Sequence, residues 1–324
     1  MFFATIEMRG RPIETGKITA VYGKQIRVYY QGKEYSGQIR GKIYKEKSLN
    51  SYVAAGDNVE ISFDSEGKAV IESVLPRKQF LVKPDILYQE QNQILAANLD
   101  QLIIVTSAVE PAFKAGLIDR FLVSAEKEHL QASIVINKID LASPDEFAPF
   151  AEAWRKLGYN VLFTSAKTGF NLDPFKQLLK DKTSALAGHS GVGKSSLLNL
   201  MQPDLILKTA KISKSSGRGV HTTTSITFYP LPCGGWVADT PGLKVFGLTG
   251  ITPQNLYHCF PEFRERNFTC RFSDCQHINE PGCGIKDAVE SGEIFQGRYD
   301  SYCKLWEQLN QSMDQSLKYS RKQN

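Results

Sequence analysis

The sequence predicts a multidomain protein with a small N-terminal β-barrel, a central α/β domain and a mainly α-helical C-terminal domain. Three observations predict this order. Short strand-like segments fill the first 75 residues, glycine-rich and polar motifs follow apolar runs in the middle, and all six cysteines come after residue 232. A chain of 324 residues is also long for one core and suits two or three domains. We place the domains at 1–75, 76–247 and 248–324.

The first domain is predicted to be a barrel of five short strands. Apolar and polar residues alternate in each of them, and turn residues such as those at 65–67 separate them. The strands are predicted at Gly16–Val21, Gln25–Tyr30, Tyr35–Ile39, Asn58–Phe63 and Ala69–Val74. This number favours an OB-type barrel, a small barrel that commonly meets nucleic acid, and an SH3-like barrel is the alternative.

The barrel carries a local excess of positive charge. Between Lys24 and Lys47 there are seven lysines and arginines against two glutamates, with four tyrosines interleaved. Basic and aromatic side chains together are typical of surfaces that bind single-stranded nucleic acid, so we expect RNA contact here. The alternative is a solvated strand face whose tyrosines lie in the barrel core. A second basic stretch, from Lys208 to Arg218, contains no acidic residue and is a further candidate for RNA phosphates.

A segment of the central domain matches the phosphate-binding pattern G-x-x-x-x-G-K-[ST] at every fixed position. Its glycines let backbone N–H groups turn inward and hold phosphates at a helix N-terminus. Lys194 is expected to reach the β- and γ-phosphate oxygens, and the Ser195 hydroxyl to ligate Mg²⁺. A buried strand is predicted before the segment and a helix after it. The predicted phosphate-binding residues are Gly188, His189, Ser190, Gly191, Val192, Gly193, Lys194, Ser195 and Ser196.

The tetrad Asn137-Lys138-Ile139-Asp140 predicts a guanine base, so GTP and GDP are the expected ligands. The carboxylate of Asp140 can accept from both N1–H and the N2 amino group of guanine, and adenine offers neither donor. Asn137 is expected to orient the base and tie adjacent loops together. The preceding apolar run, Ala132–Ile136, is predicted as a buried parallel strand that ends at the tetrad. The predicted base-binding residues are Asn137, Lys138, Asp140, Ser165, Ala166 and Lys167, the last three in a loop after a strand at Asn160–Phe163.

Two later segments are predicted to meet the γ-phosphate and Mg²⁺. Asp239 follows a predicted strand and is expected to hold Mg²⁺ through water, while Gly242 offers an N–H to the γ-phosphate. A cluster of three threonines precedes them, and either Thr223 or Thr224 is the expected Mg²⁺ ligand. The sequence does not choose between the two, and Thr223 is included among the predicted nucleotide-binding residues.

The motifs stand in an unusual order, with the base tetrad and base loop before the phosphate loop and the two switch segments. Ordinary GTPases begin with the phosphate loop, and a cyclic rotation of their order produces this one. The central domain is therefore predicted to be a circularly permuted P-loop GTPase domain. The rotation puts both switch segments near the C-terminal domain, which can then respond to the γ-phosphate.

The C-terminal domain is predicted to hold one structural Zn²⁺. Cys270, Cys275, His277 and Cys283 form a Cys₃His set within a short stretch rich in turn residues, and tetrahedral Zn²⁺ prefers such a set. His258 and Cys259 lie just upstream and are left out, because adjacent residues are awkward joint ligands. The remaining cysteines show no paired spacing and no apolar signal segment opens the chain, so we expect a reduced, cytoplasmic protein.

The chain resembles the bacterial family of ribosome small-subunit-dependent GTPases, the RsgA family. The permuted motifs, the sequence Gly-Arg-Gly-Val-His-Thr-Thr-Thr at 217–224 and the cysteine and histidine cluster carry the resemblance. It covers almost the whole chain. It implies an OB barrel, a permuted G domain and a zinc domain that act in late 30S maturation, with slow GTP hydrolysis that the small subunit stimulates.

The resemblance also implies a catalytic residue. Leu243 stands where Ras-like proteins place the glutamine that orients water, and the family's proposed substitute corresponds to His221. The alternative is a histidine that only caps or packs the switch. The expected catalytic set is His221, Lys194 and Thr223.

The first functional hypothesis is therefore a GTPase that docks on the 30S subunit and its 16S rRNA. The competing one is an RNA-binding assembly factor that uses GTP as a conformational ligand with little hydrolysis. A permuted GTPase of large-subunit assembly is a third, which does not predict this barrel together with a Cys₃His segment. We expect a monomer that meets other 30S assembly factors and does not span a membrane, and the net charge of +5 favours one defined RNA surface over general coating of nucleic acid.

Overall fold

The computed structural model describes residues 13–23, 25–40, 53–83, 93–201, 226–239, 248 and 250–320. They form two compact units. The first contains the described residues up to 99 together with 226–229, and the second contains those of 100–201 and 230–320. The predicted boundaries at 75 and 247 stay predictions.

The first unit contains the predicted barrel. Its strands are β1 (Glu14–Tyr22), β2 (Gln25–Tyr30), β3 (Lys33–Ile39), β4 (Asn58–Phe63) and β5 (Ala69–Val74). They pair in the order β1-β2-β3-β5-β4, and β4 also pairs with β1, so the barrel closes. Only the β3–β5 pairing is parallel. This is the order of an OB barrel, and the predicted fold class is confirmed.

The barrel core explains why each strand alternates. Ile18, Val28, Val59, Ile61 and Ile71 are fully buried, whereas Lys17, Glu60 and Val70 beside them are only partly buried. Burial of such side chains drives the sheet to close, because both edges would otherwise expose unpaired backbone groups.

Two of the four interleaved tyrosines belong to this core. Tyr30 and Tyr35 pack against Phe63 with ring centroids 5.6 and 4.9 Å apart. For these two residues the structure supports the alternative interpretation of tyrosines inside the barrel. Tyr44 and the basic residues from 42 to 47 lie outside the described residues.

A short hairpin continues the first unit. It consists of β6 (Phe80–Lys83) and β7 (Gln93–Ala97), and β12 (Thr227–Pro230) pairs with β1. The buried carboxylate of Asp57 anchors the connection, because Arg77 donates to its two oxygens at 2.7 and 2.8 Å. The barrel and the segment after it are thus joined by a forked ion pair.

The second unit is built on a parallel sheet of five described strands. They are β8 (Gln101–Ser107), β9 (Gln131–Asn137), β10 (Asn160–Phe163), β11 (Thr183–Ala187) and β13 (Trp236–Asp239), in the order β10-β9-β8-β11-β13. Every pairing among them is parallel. The middle strands are buried along almost their whole length, as expected for a sheet with helices on both faces.

Helices connect these strands. They are α1 (Ala115–Lys127), α2 (Ala148–Lys156), α3 (Leu172–Leu179) and α4 (Lys194–Met201), and 3₁₀ turns cover Ile139–Leu141 and Pro144–Phe147. The predicted strands at 132–136, 160–163 and 184–187 and the helix after the phosphate loop are all present.

The C-terminal segment, residues 250–320, packs on α1. It contains α5 (Pro261–Arg264), α6 (Gly284–Glu290), α7 (Gln296–Ser320) and 3₁₀ turns at Leu256–Cys259 and Asn267–Thr269. Its core includes Phe260, Phe263, Tyr302 and Leu305, together with Val123 from α1. Tyr302, Leu305 and Leu309 lie on one face of α7, and this face is therefore a packing surface. No helix within the described ranges is long and apolar enough to cross a membrane.

Candidate functional site

The candidate site lies at the carboxyl edge of the parallel sheet. The tetrad at 137–140 follows β9, the loop at 164–168 follows β10, and the glycine-rich loop at 188–193 follows β11. Because the strands are parallel, their carboxyl ends meet at one edge, where α/β sheets bind ligands. The structure therefore brings together three segments that are far apart in the sequence.

The phosphate loop needs glycines because of its backbone conformation and because neighbouring atoms lie close to its backbone. Gly188, Gly191 and Gly193 have φ values of 142°, 84° and 97°, which side chains rarely adopt. A β-carbon at Gly188 would overlap the carbonyl of Val105, and one at Gly193 would overlap the amide of Asn137. The loop leads directly into α4, so its backbone N–H groups lie at a helix N-terminus.

Lys194 folds back over this loop. Its ammonium donates to the carbonyl oxygens of Gly188 and His189, both at 2.7 Å. The positive charge is thus held over the curled backbone where a phosphate group would bind. The side chains of Ser195 and Ser196 are exposed, so the Ser195 hydroxyl is accessible to a metal ion.

Asn137 joins the three loops. It is almost fully buried, and its Nδ2 donates to the carbonyl of Val192 at 2.9 Å. Its Oδ1 accepts from the Thr164 hydroxyl at 3.2 Å and from the backbone N–H of Ala166 at 3.1 Å. The predicted tie between adjacent loops is thus seen in these contacts.

The carboxylate of Asp140 is exposed at the rim of the site. The Ser165 hydroxyl donates to it at 2.6 Å and accepts from the N–H of Thr168 at 3.2 Å. This chain of hydrogen bonds orients the carboxylate while leaving its other oxygen open to a base. Lys138 has a left-handed backbone, and its Nζ donates to the carbonyl of Glu110 at 2.5 Å. Lys167 is exposed beside this loop.

Several predicted site residues lie outside the described residues. They are His221, Thr223 and Gly242, together with Thr224, Leu243 and the basic stretch at 208–218. Asp239 ends β13 at the same edge of the sheet as the phosphate loop. The predicted roles of all these residues stay predictions.

A second site lies in the C-terminal segment. One ligand atom from each of Cys270, Cys275, His277 and Cys283 lies within 4.8 Å of all the others. The Nδ1 atom of His277 is 3.6 Å from the sulfur of Cys270 and 3.5 Å from that of Cys283, and the two sulfurs are 4.0 Å apart. A tetrahedral zinc ion would require about 3.5 Å between nitrogen and sulfur and about 3.8 Å between sulfurs. The donor set therefore fits a tetrahedral metal ion.

Residues around the cluster fix the backbone of the ligand loop. The carboxylate of Glu280 accepts from the N–H groups of Gln276, Ile278 and Asn279 at 2.8 to 3.1 Å. Helix α7 holds the same loop from outside, because Tyr299 donates to the carbonyl of His277 at 2.8 Å. Such outer contacts orient metal ligands before the ion arrives.

Burial controls the protonation of this cluster. It raises the pKa of the Cys275 thiol to about 12 and lowers the pKa of the His277 imidazole. Without an ion the Cys275 thiol keeps its proton and the His277 imidazole is neutral at neutral pH. A bound metal must displace the thiol protons, so metal retention is expected to weaken as the pH falls.

A buried ionic hub joins α1 to the C-terminal segment and was not predicted from the sequence. Arg298 of α7 donates to Asp119 of α1 at 2.6 Å and to both oxygens of Glu262 at 2.7 and 3.2 Å. Burial alone lowers the pKa of Arg298, and the two carboxylates more than offset this and raise it. The available signal was an acidic residue inside the apolar run Leu117–Val123.

The comparisons with known proteins agree on one family. The family model described as RsgA GTPase matches residues 74–249. The chain is 42% identical over 299 residues to the small ribosomal subunit biogenesis GTPase RsgA of Gemmatimonas aurantiaca, covering 91% of this chain and 95% of the relative. It is also 42% identical over 280 residues to the protein of that name from Thermotoga maritima, covering 86% and 90%.

Two solved structures resemble the whole chain. YjeQ from Thermotoga maritima is 37% identical with a TM-score of 0.74, covering 92% of this chain and 99% of that one. YloQ, described as a circularly permuted GTPase, is 31% identical with a TM-score of 0.71, covering 96% and 99%.

The first prediction concerns base specificity. Asp140→Asn replaces a carboxylate with an amide, so guanine loses an acceptor and the 2-oxo group of xanthine gains a donor. We expect the affinity for GDP to fall about 100-fold and the affinity for XDP to rise. Titration with fluorescent nucleotides measures both. Asp145→Asn, an exposed acid in a nearby turn, is the control. Unchanged preference for GDP in Asp140→Asn would contradict the assignment.

The second prediction concerns the metal. Cys275→Ser removes a ligand, so the purified protein is expected to lose most of its zinc, and the melting transition of the C-terminal segment should move to lower temperature. Elemental analysis and thermal unfolding measure these effects. Cys303→Ser alters a half-buried cysteine outside the cluster and should keep a full equivalent of zinc. Equal zinc contents in the two variants would refute the site.

Proposed function

Because the chain belongs to the RsgA GTPase family, we propose that it binds GTP and hydrolyses it to GDP and phosphate during biogenesis of the small ribosomal subunit. The observation that carries the proposal is the junction at Asn137, which connects a base-recognition loop to a phosphate-binding loop by hydrogen bonds of 2.9 and 3.1 Å. A site so connected senses base and phosphates together.

The described loops supply the binding groups. In the proposed complex Asp140 accepts from guanine, Lys138 lies along the base, and the backbone of Ser165, Ala166 and Lys167 faces the base edge. The phosphates rest on N–H groups of residues 188–196, with Lys194 against the β- and γ-oxygens. Mg²⁺ would be held by Ser195, Thr223 and, through water, Asp239, and when bound it neutralises charge on the β- and γ-phosphates.

Hydrolysis needs a group that orients the attacking water. Leu243 has no polar atom in its side chain, so it cannot replace the glutamine of Ras-like proteins. We assign this role to His221, whose imidazole can accept a proton from water near neutral pH. Lys194 stabilises the negative charge that develops on the phosphate oxygens.

The Cys₃His cluster is proposed to hold structural Zn²⁺. All four ligands come from the protein, which leaves no open position for substrate. Helix α7 and the ligand loop share one core, so the ion is expected to stabilise the fold of the whole C-terminal segment.

The proposed partner is the 30S subunit with its 16S rRNA, contacted by the OB barrel and the basic stretches. The names of the relatives support this assignment. A ribosomal partner implies that the protein acts in the cytoplasm. We further propose that it acts as a monomer and meets other assembly factors on the same subunit. In this proposal residues 1–75, 76–247 and 248–324 are three domains with separate roles.

The third prediction tests the partner. GTP turnover is expected to rise at least about tenfold with 30S subunits. This is well below the stimulation that activating proteins give to other GTPases. Turnover should not rise with 50S subunits. Lys194→Ala and Ser195→Ala should abolish turnover in both conditions, since they remove a phosphate contact and a Mg²⁺ ligand. Equal stimulation by both subunits would contradict the proposal. Equal release from the 30S subunit with GTP and with a non-hydrolysable analogue would favour a scaffold instead.

The fourth prediction tests the catalytic residue. His221→Ala is expected to slow 30S-stimulated hydrolysis about 100-fold, because the water loses its base. GTP affinity should stay within about twofold, since no binding contact to the base or phosphates is removed. His129→Asn, which changes a histidine just after α1, is the control. A parallel loss of GTP affinity in His221→Ala would show that the residue has a structural role.

A further inference from the structure

Helix α1 and the C-terminal segment are joined by the ionic hub of Asp119, Glu262 and Arg298. The three side chains are 1%, 8% and 2% exposed, and the ring of Phe260 lies 4.6 Å from the guanidinium carbon. Trp154 adds a hydrogen bond of 2.9 Å to Asp119. Two carboxylates share one cation, so separating Arg298 from either would leave an uncompensated buried charge. The hub therefore holds α1, α5 and α7 as one body.

The N-terminal end of α1 faces the phosphate loop across a cavity. Lys114, Leu117 and Ile118 line this space of about 190 Å³ together with His189 and Val192 of the loop. Free volume at this contact leaves the start of α1 less restrained than close packing would, so its position can respond to what the two loops bind. Lys138 of the base tetrad also donates to Glu110, just before the helix. Both halves of the nucleotide site thus reach the start of α1.

Aromatic side chains make a second contact between these regions. Phe113, the residue before the N-cap of α1, lies 5.7 Å from Phe150 of α2. Phe150 in turn meets Phe295 edge-on at 5.2 Å, and Phe295 directly precedes α7. A displacement at the start of α1 is therefore passed to the start of α7 by packing as well as by charge.

Helix α7 reaches the metal ligands at its other contacts. Tyr302 donates to the carbonyl of Gln276 at 2.9 Å, and Trp306 donates to the Gln276 side chain at 3.3 Å. Tyr299 holds the carbonyl of His277. Arg298 is adjacent to Tyr299 in the helix, so the hub and the ligand loop are fixed by neighbouring residues.

We propose that nucleotide binding and metal retention are energetically coupled, and that Arg298 is the positioning residue through which most of the coupling passes. The inference rests on the proposed function, since it takes the phosphate loop to bind GTP and the Cys₃His cluster to hold zinc. Nucleotide ties the phosphate loop to the base loop and restrains α1, and the restrained helix in turn holds the ligand loop more firmly. By reciprocity, zinc strengthens nucleotide binding by the same factor.

The test measures how fast the full-length, zinc-loaded protein releases zinc to an excess of a zinc-selective colorimetric chelator. Release is followed without nucleotide and with saturating Mg²⁺ and a non-hydrolysable GTP analogue. We expect the analogue to slow release at least about fivefold in the wild type, the lower end of typical coupling between sites. The ratio of nucleotide affinities of the zinc-loaded and zinc-free proteins gives the coupling factor at equilibrium.

Two variants weaken the hub by different means. Arg298→Lys keeps the charge, but an ammonium cannot make the forked contact to Glu262 while reaching Asp119. Glu262→Gln keeps the shape of the side chain and removes one of the two negative charges. It tests the hub independently if Arg298→Lys folds poorly. In both we expect the effect of the analogue to fall below about twofold, with zinc and nucleotide still bound. Arg120→Ala is the matched control, because it removes an exposed hydrogen bond to Gln308 between the same two helices.

The outcomes separate the coupling from the function it rests on. If the wild type binds zinc and the analogue but releases zinc equally fast with and without the analogue, the coupling alone is overturned. Full wild-type slowing in both hub variants overturns the role of Arg298. A wild type that holds no zinc, or binds no guanine nucleotide, overturns the proposed function and the coupling with it. Loss of the effect in Arg120→Ala as well as in the hub variants would show general loosening of the helices and also overturn the role of Arg298.

Discussion

The buried amide of Asn137 is the contact on which the nucleotide site depends. Parallel strands bring three loops to one edge, and only this side chain reaches from β9 to both of the other loops among the described residues. Its groups are removed from water, so each lost contact would leave a buried backbone group unsatisfied. The glycine at 193 follows from the same contact, because a β-carbon there would overlap the amide. The loops predicted to bind the base and the phosphates are thus joined by one side chain.

The same edge of the sheet is connected to the rest of the second unit through α1. This helix lies between the phosphate loop and the C-terminal segment. A cavity separates it from the loop, and the buried ionic hub joins it to the segment. Circular permutation makes the arrangement useful, because the chain passes from β13 directly into the segment that packs on α1. In the proposed coupling, this helix is the physical route from the nucleotide site to the metal site.

Much of this architecture could be predicted because the signals are local. The barrel strands alternate with period two, and the observed β2, β4 and β5 have the predicted bounds. The Cys₃His ligands lie within fourteen residues, so a short turn-rich loop was enough to bring them together. The roles of Tyr30 and Tyr35 could not be decided in the same way, since only the closed barrel shows that they pack against Phe63.

The sequence by itself predicted the binding chemistry: guanine recognition at Asp140, phosphate binding from Gly188 to Ser196, and a tetrahedral metal set around His277. Motif order also determined the permutation, because it is a property of the chain and requires no coordinates. Only the tertiary structure decided how these parts are joined. Asp119, Glu262 and Arg298 come from distant helices, and their meeting depends on long-range packing, which leaves no periodic pattern in the sequence. Their buried pairing joins α1 to two helices of the C-terminal segment.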